Sequence, residues 1–221
     1  KHEDGKAFRK NYKIKLDPER ARSITEAYKA NEADPIQIKR AKALDNILSN
    51  MTIYIRDEEL LTGNFASDLE SVTHYPELQW RWVEKTTAPG QIYSDLLEKN
   101  EWEELKEIHE YWKTRAVHGM ERKILPKQME DVWKLKGQYY FAYNWEHSTP
   151  NYDKLFNIGF KGYLAKIEKS RNRIEEDVCN EVISAEEYTN KKIFLDAAEL
   201  SVKAAIKWIK RYADLASQKA A

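Results

Sequence analysis

The chain has 221 residues, 42% of them hydrophobic, which is enough for one large domain or two small ones with a continuous core. Its 37 basic and 37 acidic residues cancel, so it offers no global field to nucleic acid or to an anionic membrane surface. One cysteine excludes an intrachain disulfide, and neither a signal peptide nor an apolar run of the roughly 18 residues that a membrane span needs is present, so the sequence predicts a cytoplasmic location.

Two Asp-Pro pairs predict the starts of the first two helices. Asp17-Pro18 precedes one amphipathic pattern and Asp34-Pro35 precedes the next. Both patterns repeat apolar or small residues at helical spacing, at Ala21, Ile24, Ala27 and Tyr28 in the first, and at Ile36, Ile38, Ala41, Leu44, Ile47 and Leu48 in the second.

A short β signal follows the second helix. Thr52-Ile53-Tyr54-Ile55 is β-branched and aromatic, an acidic turn comes next, and Leu60-Leu61-Thr62-Gly63-Asn64 follows. The pattern predicts a β-hairpin, with Gly63 giving the backbone freedom at its end.

The rest of the chain predicts helices. Asn100 with Glu103 resembles a capping box for a helix over residues 101–115, and residues 150–182 form a helix interrupted near Gly159 and Gly162. Ser184 with Glu187 begins the last and longest helix, whose predicted apolar stripe is Phe194, Ala198, Val202, Ala205, Ile209, Tyr212, Ala213 and Ala216. The fold class is therefore mainly α, a helical layer with a short β-hairpin, in a single unit over residues 1–221.

The segment with most chemical character is residues 139–152. Five aromatics fall within residues 139–145, and His147 comes shortly before a helix-start signal, with Thr149 as the N-cap and Pro150 at the first helical position. An imidazole there could bond a substrate hydroxyl or move a proton, or it could cap the helix or satisfy a buried carbonyl. The aromatics could likewise form a pocket wall or part of the core.

Other kinds of site are weakly signalled. The five histidines are scattered, without the spacing of a metal site, and no glycine-rich phosphate loop or serine-hydrolase elbow occurs. Cys179 lies in an acidic helical segment, which disfavours the thiolate that a nucleophile needs, so a structural, buried cysteine is predicted. No metal or cofactor is expected to bind this chain.

Several motifs occur in a fixed order over about residues 18–217. They comprise residues 20–29, 35–44, 53–55, 59–64 and 75–77, residues 146–155 (the run from Glu146 through His147 to Leu155) with Gly159 and Gly162, residues 197–198, and residues 211–216. Together, and in this order, they resemble the N-terminal region of one family, the glycyl radical enzymes of the pyruvate formate-lyase-like superfamily.

The resemblance implies that the chain is part of a larger ten-stranded α/β-barrel enzyme of anaerobic metabolism. In such enzymes a protein-derived glycyl radical makes a thiyl radical on a cysteine, and both the cysteine loop and the C-terminal radical loop are expected beyond residue 221. Cys179, Gly159 and Gly162 should not inherit radical roles, so this chain alone is expected to be inactive. The implied partners are a radical-SAM activating enzyme, the remainder of the same chain, a second copy in a homo-oligomer and a small-molecule substrate, with no nucleic acid and no membrane.

The resemblance also implies the site residues. The family's histidine in the corresponding motif contacts substrate in dehydratase-type members, which corresponds to His147 here, although Glu146 replaces the family's preceding glycine. Tyr143 and Trp145 are predicted to line the pocket beside it and would suit an apolar or aromatic substrate.

Three functions remain open. The first is a lyase, decarboxylase or dehydratase that cleaves a C–C or C–heteroatom bond. The second is a fumarate-adding synthase, and the third is a non-catalytic helical module that binds a partner protein.

Overall fold

The computed structural model describes residues 15–57, 60–68, 71–78, 80, 83, 85, 87–90, 96–124, 126–129 and 150–220. Six helices and two short strands lie within these residues. They are β1 (Lys15–Asp17), α1 (Glu19–Ala30), α2 (Ile36–Asn50), β2 (Ser71–Thr73), α3 (Lys99–Trp112), α4 (Val117–Ile124), α5 (Tyr152–Cys179) and α6 (Ala185–Ala220). The mainly helical prediction is confirmed. Within the described ranges, no helix is both long and apolar enough to cross a membrane.

The described residues fall into two compact units. One unit lies within Lys1–Arg22 and Asn64–His147, and the other lies within Ser23–Gly63 and Ser148–Ala221. We refer to them as unit 1 and unit 2. The core of unit 1 contains Leu16 of β1, Val83, and Leu105 and Trp112 of α3, all of them buried. In unit 2, α6 packs against both α2 and α5.

The two strands of unit 1 pair in parallel. Lys15 lies opposite Ser71, and Asp17 lies opposite Thr73. Asp17 then ends the strand and begins the next helix, because its Oδ1 accepts a 2.8 Å hydrogen bond from the N–H of Glu19. Its Oδ2 accepts a second bond, of 2.5 Å, from the N–H of Ser67. The first Asp-Pro pair therefore starts a helix, as predicted, and one buried carboxylate also fixes a distant loop.

The predicted β-hairpin after α2 is wrong, because residues 52–56 form no strand. Their neighbouring carbonyls are instead bonded by cations of α6. Arg211 donates to the carbonyl of Met51 at 2.7 Å, and Lys219 donates to that of Ile55 at 2.5 Å. The second predicted arm is solvated, with Leu60 97% and Leu61 91% exposed. A β-branched run predicts extended backbone, but here long side chains from a helix satisfy that backbone where a strand was expected.

The structure shows which residues cap the starts of α6 and α3. Ser184 Oγ accepts a 3.1 Å hydrogen bond from the N–H of Glu187, which confirms the start of α6. The start of α3 lies two residues before the predicted Asn100, since the N–H of Glu98 donates to the carboxylate of Glu101 at 2.8 Å. The same box geometry is formed, but by a pair of glutamates.

The buried face of α6 differs from the predicted stripe. Its buried residues are Leu195, Ala197, Ala204 and Tyr212. Of the predicted stripe only Tyr212 is buried, whereas Phe194 is 63% exposed and Ile209 is 50% exposed. The helix has more than one apolar face, and periodicity alone does not tell which face meets α2 and α5.

Candidate functional site

The residues predicted to bind substrate lie outside the described part of the chain. These are Tyr143, Trp145 and His147, and they remain predictions. The structure does describe the helix that follows them. α5 begins at Tyr152, and Asn151 caps it by accepting a 2.9 Å hydrogen bond from the N–H of Lys154. The prediction of Thr149 as the N-cap is wrong by two residues. The capping acceptor is the side chain of Asn151, so this bond does not need His147.

The first turn of α5 carries an exposed aromatic pair. The rings of Tyr152 and Phe156 stack with their centroids 6.0 Å apart, and they are 54% and 81% exposed. The turn ends at Gly159, where φ is 59° and ψ is 180°. This region of backbone space is essentially limited to glycine, so the predicted interruption is confirmed at Gly159 and has a conformational cause. The helix continues through Gly162, so the prediction of a break there is wrong.

The most unusual polar arrangement in unit 1 is a buried histidine pair. The Nε2 atoms of His74 and His109 lie 3.0 Å apart, and the rings meet edge to face with centroids 5.1 Å apart. His74 is 1% exposed and His109 is fully buried. Since a hydrogen bond between two imidazole nitrogens needs one donor and one acceptor, one ring donates its Nε2–H to the lone pair of the other.

Burial keeps both rings neutral at physiological pH. It lowers the pKa of His74 from its ordinary 6.5 to about 3, with further lowering by the positive charges of His109 and Arg20. Burial likewise lowers the pKa of His109 to about 4, with Lys113 lowering it further and Glu110 opposing the shift. Desolvation dominates in each case, because a charged imidazolium loses its water inside the protein.

Cationic side chains surround the pair. The guanidinium of Arg20 lies 4.0 Å above the ring of Tyr75, bonds both carboxylate oxygens of Glu77, and donates to the carbonyl of His74 at 3.4 Å. On the other side, the ring of Trp80 is 6.0 Å from that of His109, and Lys113 lies 5.7 Å from Trp80. Arg20 therefore fixes the segment that carries His74 while adding positive charge nearby.

Local sequence explains how each ring reaches the core. His109 belongs to the buried face of α3, with Leu105, Ile108 and Trp112, which follow one another at three- and four-residue intervals. His74 directly follows β2 and precedes the buried Pro76 by two residues. From the sequence alone, the helical spacing of Trp102, Leu105, Ile108 or His109, and Trp112 predicts one apolar face, so burial of His109 is one of two alternatives. By contrast, nothing in the sequence around His74 indicates burial.

The pair is suited to holding structure and not to binding a solute. With exposures of 0–1%, neither ring is reached by solvent. No group of three or more metal-ligating side chains occurs among the residues described, so two imidazoles without further ligands make no metal site there. The pair can hold one shared proton at Nε2 and resist gaining a second.

The lone cysteine is placed differently from the prediction. Cys179 is the last residue of α5 and is exposed, so the prediction of a buried cysteine is wrong. The acidic neighbours Glu175 and Glu176 are exposed beside it, which explains the position, because a strongly acidic helix end favours water over the core.

Comparison with known proteins identifies the family. The sequence model of the Pyruvate formate lyase-like family matches residues 2–221, and the chain therefore belongs to that family. The predicted resemblance to the N-terminal region of a glycyl radical enzyme is confirmed.

Particular relatives are dehydratases and a sulfite-lyase. A (2S)-3-sulfopropanediol dehydratase of Klebsiella oxytoca is 27% identical over 93% of this chain and 25% of its own length. An isethionate sulfite-lyase of Nitratidesulfovibrio vulgaris is 27% identical over 96% of this chain and 26% of its own length. The glycerol-bound B12-independent glycerol dehydratase of Clostridium butyricum superposes with a TM-score of 0.79 at 27% identity, covering 95% of this chain and 27% of that structure. The chain thus spans about a quarter of the length of these relatives.

Proposed function

We propose that this chain is the N-terminal part of a glycyl radical enzyme that cleaves a C–C or C–heteroatom bond in a small substrate. The observation that carries the proposal is the family match over residues 2–221, together with a superposition that covers 95% of the chain at a TM-score of 0.79. Because the chain spans only about a quarter of these relatives, the reaction itself is assigned to the full-length protein.

In this proposal the helices form an outer layer of a ten-stranded α/β barrel that the rest of the polypeptide completes. The described residues contain only a two-stranded sheet, which is consistent with a peripheral position. The exposed apolar residues on α5 and α6, among them Phe156, Phe194 and Ile209, are surfaces that such a neighbour would cover.

Neither radical residue is assigned to this chain. Cys179 ends a helix at the surface, with the exposed side chains of Glu175 and Glu176 beside it. Gly159 is the break inside a helix, and its conformation accounts for its presence without a radical role. The thiyl cysteine and the glycyl radical are therefore proposed to belong to other segments of the full-length enzyme, and an activating enzyme of the radical-SAM type would generate the radical.

His147, Tyr143 and Trp145 are proposed to line the substrate pocket. The capping bond from Asn151 supports this role for His147, because it supplies the helix-start acceptor that was the competing explanation for the imidazole. The exposed ring pair of Tyr152 and Phe156 extends the aromatic character of this region to the first turn of α5, which favours an apolar or aromatic substrate.

The test uses the full-length protein activated anaerobically. His147→Ala should lower turnover while leaving the glycyl radical signal in electron paramagnetic resonance at its normal yield. Asn151→Ala is the matched control, because it removes the helix cap four residues away and keeps the imidazole. Equal losses of turnover in both variants, or unchanged turnover in His147→Ala, would remove His147 from the substrate site.

A further inference from the structure

We propose that His74 and His109 form an acid-sensitive latch, which ties the segment after β2 to α3 at neutral pH and opens as the pH falls through the range from 6.5 to 5. The latch is defined as the two imidazoles and the hydrogen bond between their Nε2 atoms. This device is argued separately from the proposed catalytic function, and neither ring is reached by solvent.

The short distance between the two Nε2 atoms suits only the state in which one proton lies between them. The bond between the two Nε2 atoms needs a single proton, so protonating both rings would place two N–H donors against each other at 3.0 Å. Protonating His109 alone also has a cost. Protonated His109 carries a hydrogen on both ring nitrogens, and its Nδ1 is buried with no hydrogen-bond partner within the part of the chain that the structure describes, so that N–H would be unsatisfied.

Two nearby cations oppose protonation of the latch, whereas Glu110 favours it. Arg20 of α1 donates to the carbonyl of His74, and Lys113, directly after α3, lies near Trp80 beside His109. Two carboxylates are nearby. Glu77 is bonded by Arg20 through both oxygens, and Glu110 of α3 is exposed and paired with Lys113, so neither offers a dedicated counter-ion.

Opening the latch relieves this conflict because water can then solvate both imidazolium rings. In the open state each ring has the ordinary pKa of 6.5, whereas in the closed state burial holds the pKa near 3 for His74 and near 4 for His109. Below pH 6.5 the open state therefore binds more protons. Its equilibrium constant should rise about tenfold per pH unit for one titrating ring and up to about a hundredfold for two.

The experiment is hydrogen–deuterium exchange of the full-length protein, measured by mass spectrometry at pH 7.5, 6.5 and 5.5 and corrected for intrinsic exchange rates. In peptides covering residues 71–78 and 99–112, the opening equilibrium constant should increase from pH 6.5 to 5.5 by about fivefold where one ring titrates and by about thirtyfold where both do. The double variant His74→Gln/His109→Gln should lose this dependence, whereas His118→Gln, which removes a histidine outside the latch, should keep it. Amide exchange in the wild-type peptides that does not change with pH would overturn the proposal.

A second measurement needs no variant, so it tests the proposal even if the double variant does not fold. Exchange of the imidazole C2 hydrogen, followed by mass spectrometry in the wild-type protein, reports the protonation of each histidine separately. His74 and His109 should remain neutral in the closed state well below pH 6 and exchange through the open state only. If either ring titrates near pH 6.5 while the amides of the two peptides remain protected from exchange, protonation is not linked to opening.

Discussion

Arg211, on the last helix, donates a 2.7 Å hydrogen bond from Nη2 to the backbone carbonyl of Met51, the residue that directly follows α2. Its Nη1 donates a second bond, also of 2.7 Å, to the carbonyl of Leu48. One guanidinium therefore bonds two carbonyls at the C-terminal end of α2, the region where the last carbonyls of a helix lack intrahelical partners. This contact joins two segments of unit 2 that are 160 residues or more apart in sequence.

Replacing that guanidinium should weaken unit 2. In Arg211→Gln two charge-assisted bonds are lost and the carbonyls depend on water, so we expect a loss of about 2–3 kcal/mol in the free energy of unfolding. Urea denaturation measures it. Lys207→Ala is the control, because it removes an exposed ion pair with Asp45 on the same two helices and should cost less than about 1 kcal/mol. Equal effects of both changes would show that the carbonyl bonds contribute little.

The break in α5 should depend on glycine. At Gly159, φ 59° and ψ 180° are accessible to few other residues, and an added Cβ would meet no atom within 4 Å. The cost of Gly159→Ala is therefore conformational and should be about 1–3 kcal/mol. Thermal and urea unfolding test it, with Ala165→Gly, on the same helix, as the control expected to cost about 0.5–1 kcal/mol. A variant that gains stability and helical circular dichroism would mean that a straight helix is tolerated.

Arginine at position 20 should not be replaceable by lysine. Arg20 combines two bonds to Glu77 with stacking over Tyr75, and its side chain is only 16% exposed. A lysine offers one point charge and no planar group, so Arg20→Lys should destabilise unit 1 by about 1–2 kcal/mol. Arg22→Lys, at a more exposed pair with Glu104, should cost less than about 1 kcal/mol. If both lysine variants unfold at the same urea concentration, the planar contacts are unimportant.

Unit 1 should lose stability in mild acid. Each latch histidine has a folded-state pKa below its ordinary 6.5, so the unfolded state binds more protons once the pH drops below 6.5. Stability is therefore complete above pH 6.5 and falls as the pH approaches the folded-state values near 3 and 4. The slope is about 1.4 kcal/mol per pH unit for each ring. Urea unfolding at a series of pH values should show this slope, and a flat profile from pH 7 to 5 would contradict it.

Local signals in the sequence predicted local features well. The helix starts after the two Asp-Pro pairs and after Ser184, and the break at Gly159, each depend on residues close together in the chain, and the structure confirms them. Features that depend on distant partners were missed. The predicted hairpin failed because Arg211 and Lys219 satisfy the carbonyls around residues 51–55, and no local pattern shows that helix α6 lies there.

In the candidate site, too, the local feature was predictable and the contact between distant segments was not. The spacing of α3 predicts that either Ile108 or His109 lies on its buried face, but His74, the partner of His109, comes from a segment 35 residues away in sequence. A pair of this kind is visible only when the fold brings both segments together. His147, Tyr143 and Trp145 rest on the family resemblance and remain predictions, because they lie outside the described residues.

The most direct test of the central claim is electron paramagnetic resonance of the full-length protein after anaerobic incubation with its activating enzyme and S-adenosylmethionine. If the chain is part of a glycyl radical enzyme, the spectrum should show the doublet of a glycyl radical. The doublet should collapse to a singlet when the protein's glycine is labelled with deuterium at the α-carbon, because the splitting comes from that hydrogen. A competent activating enzyme that produces no such signal in the full-length protein would contradict the claim.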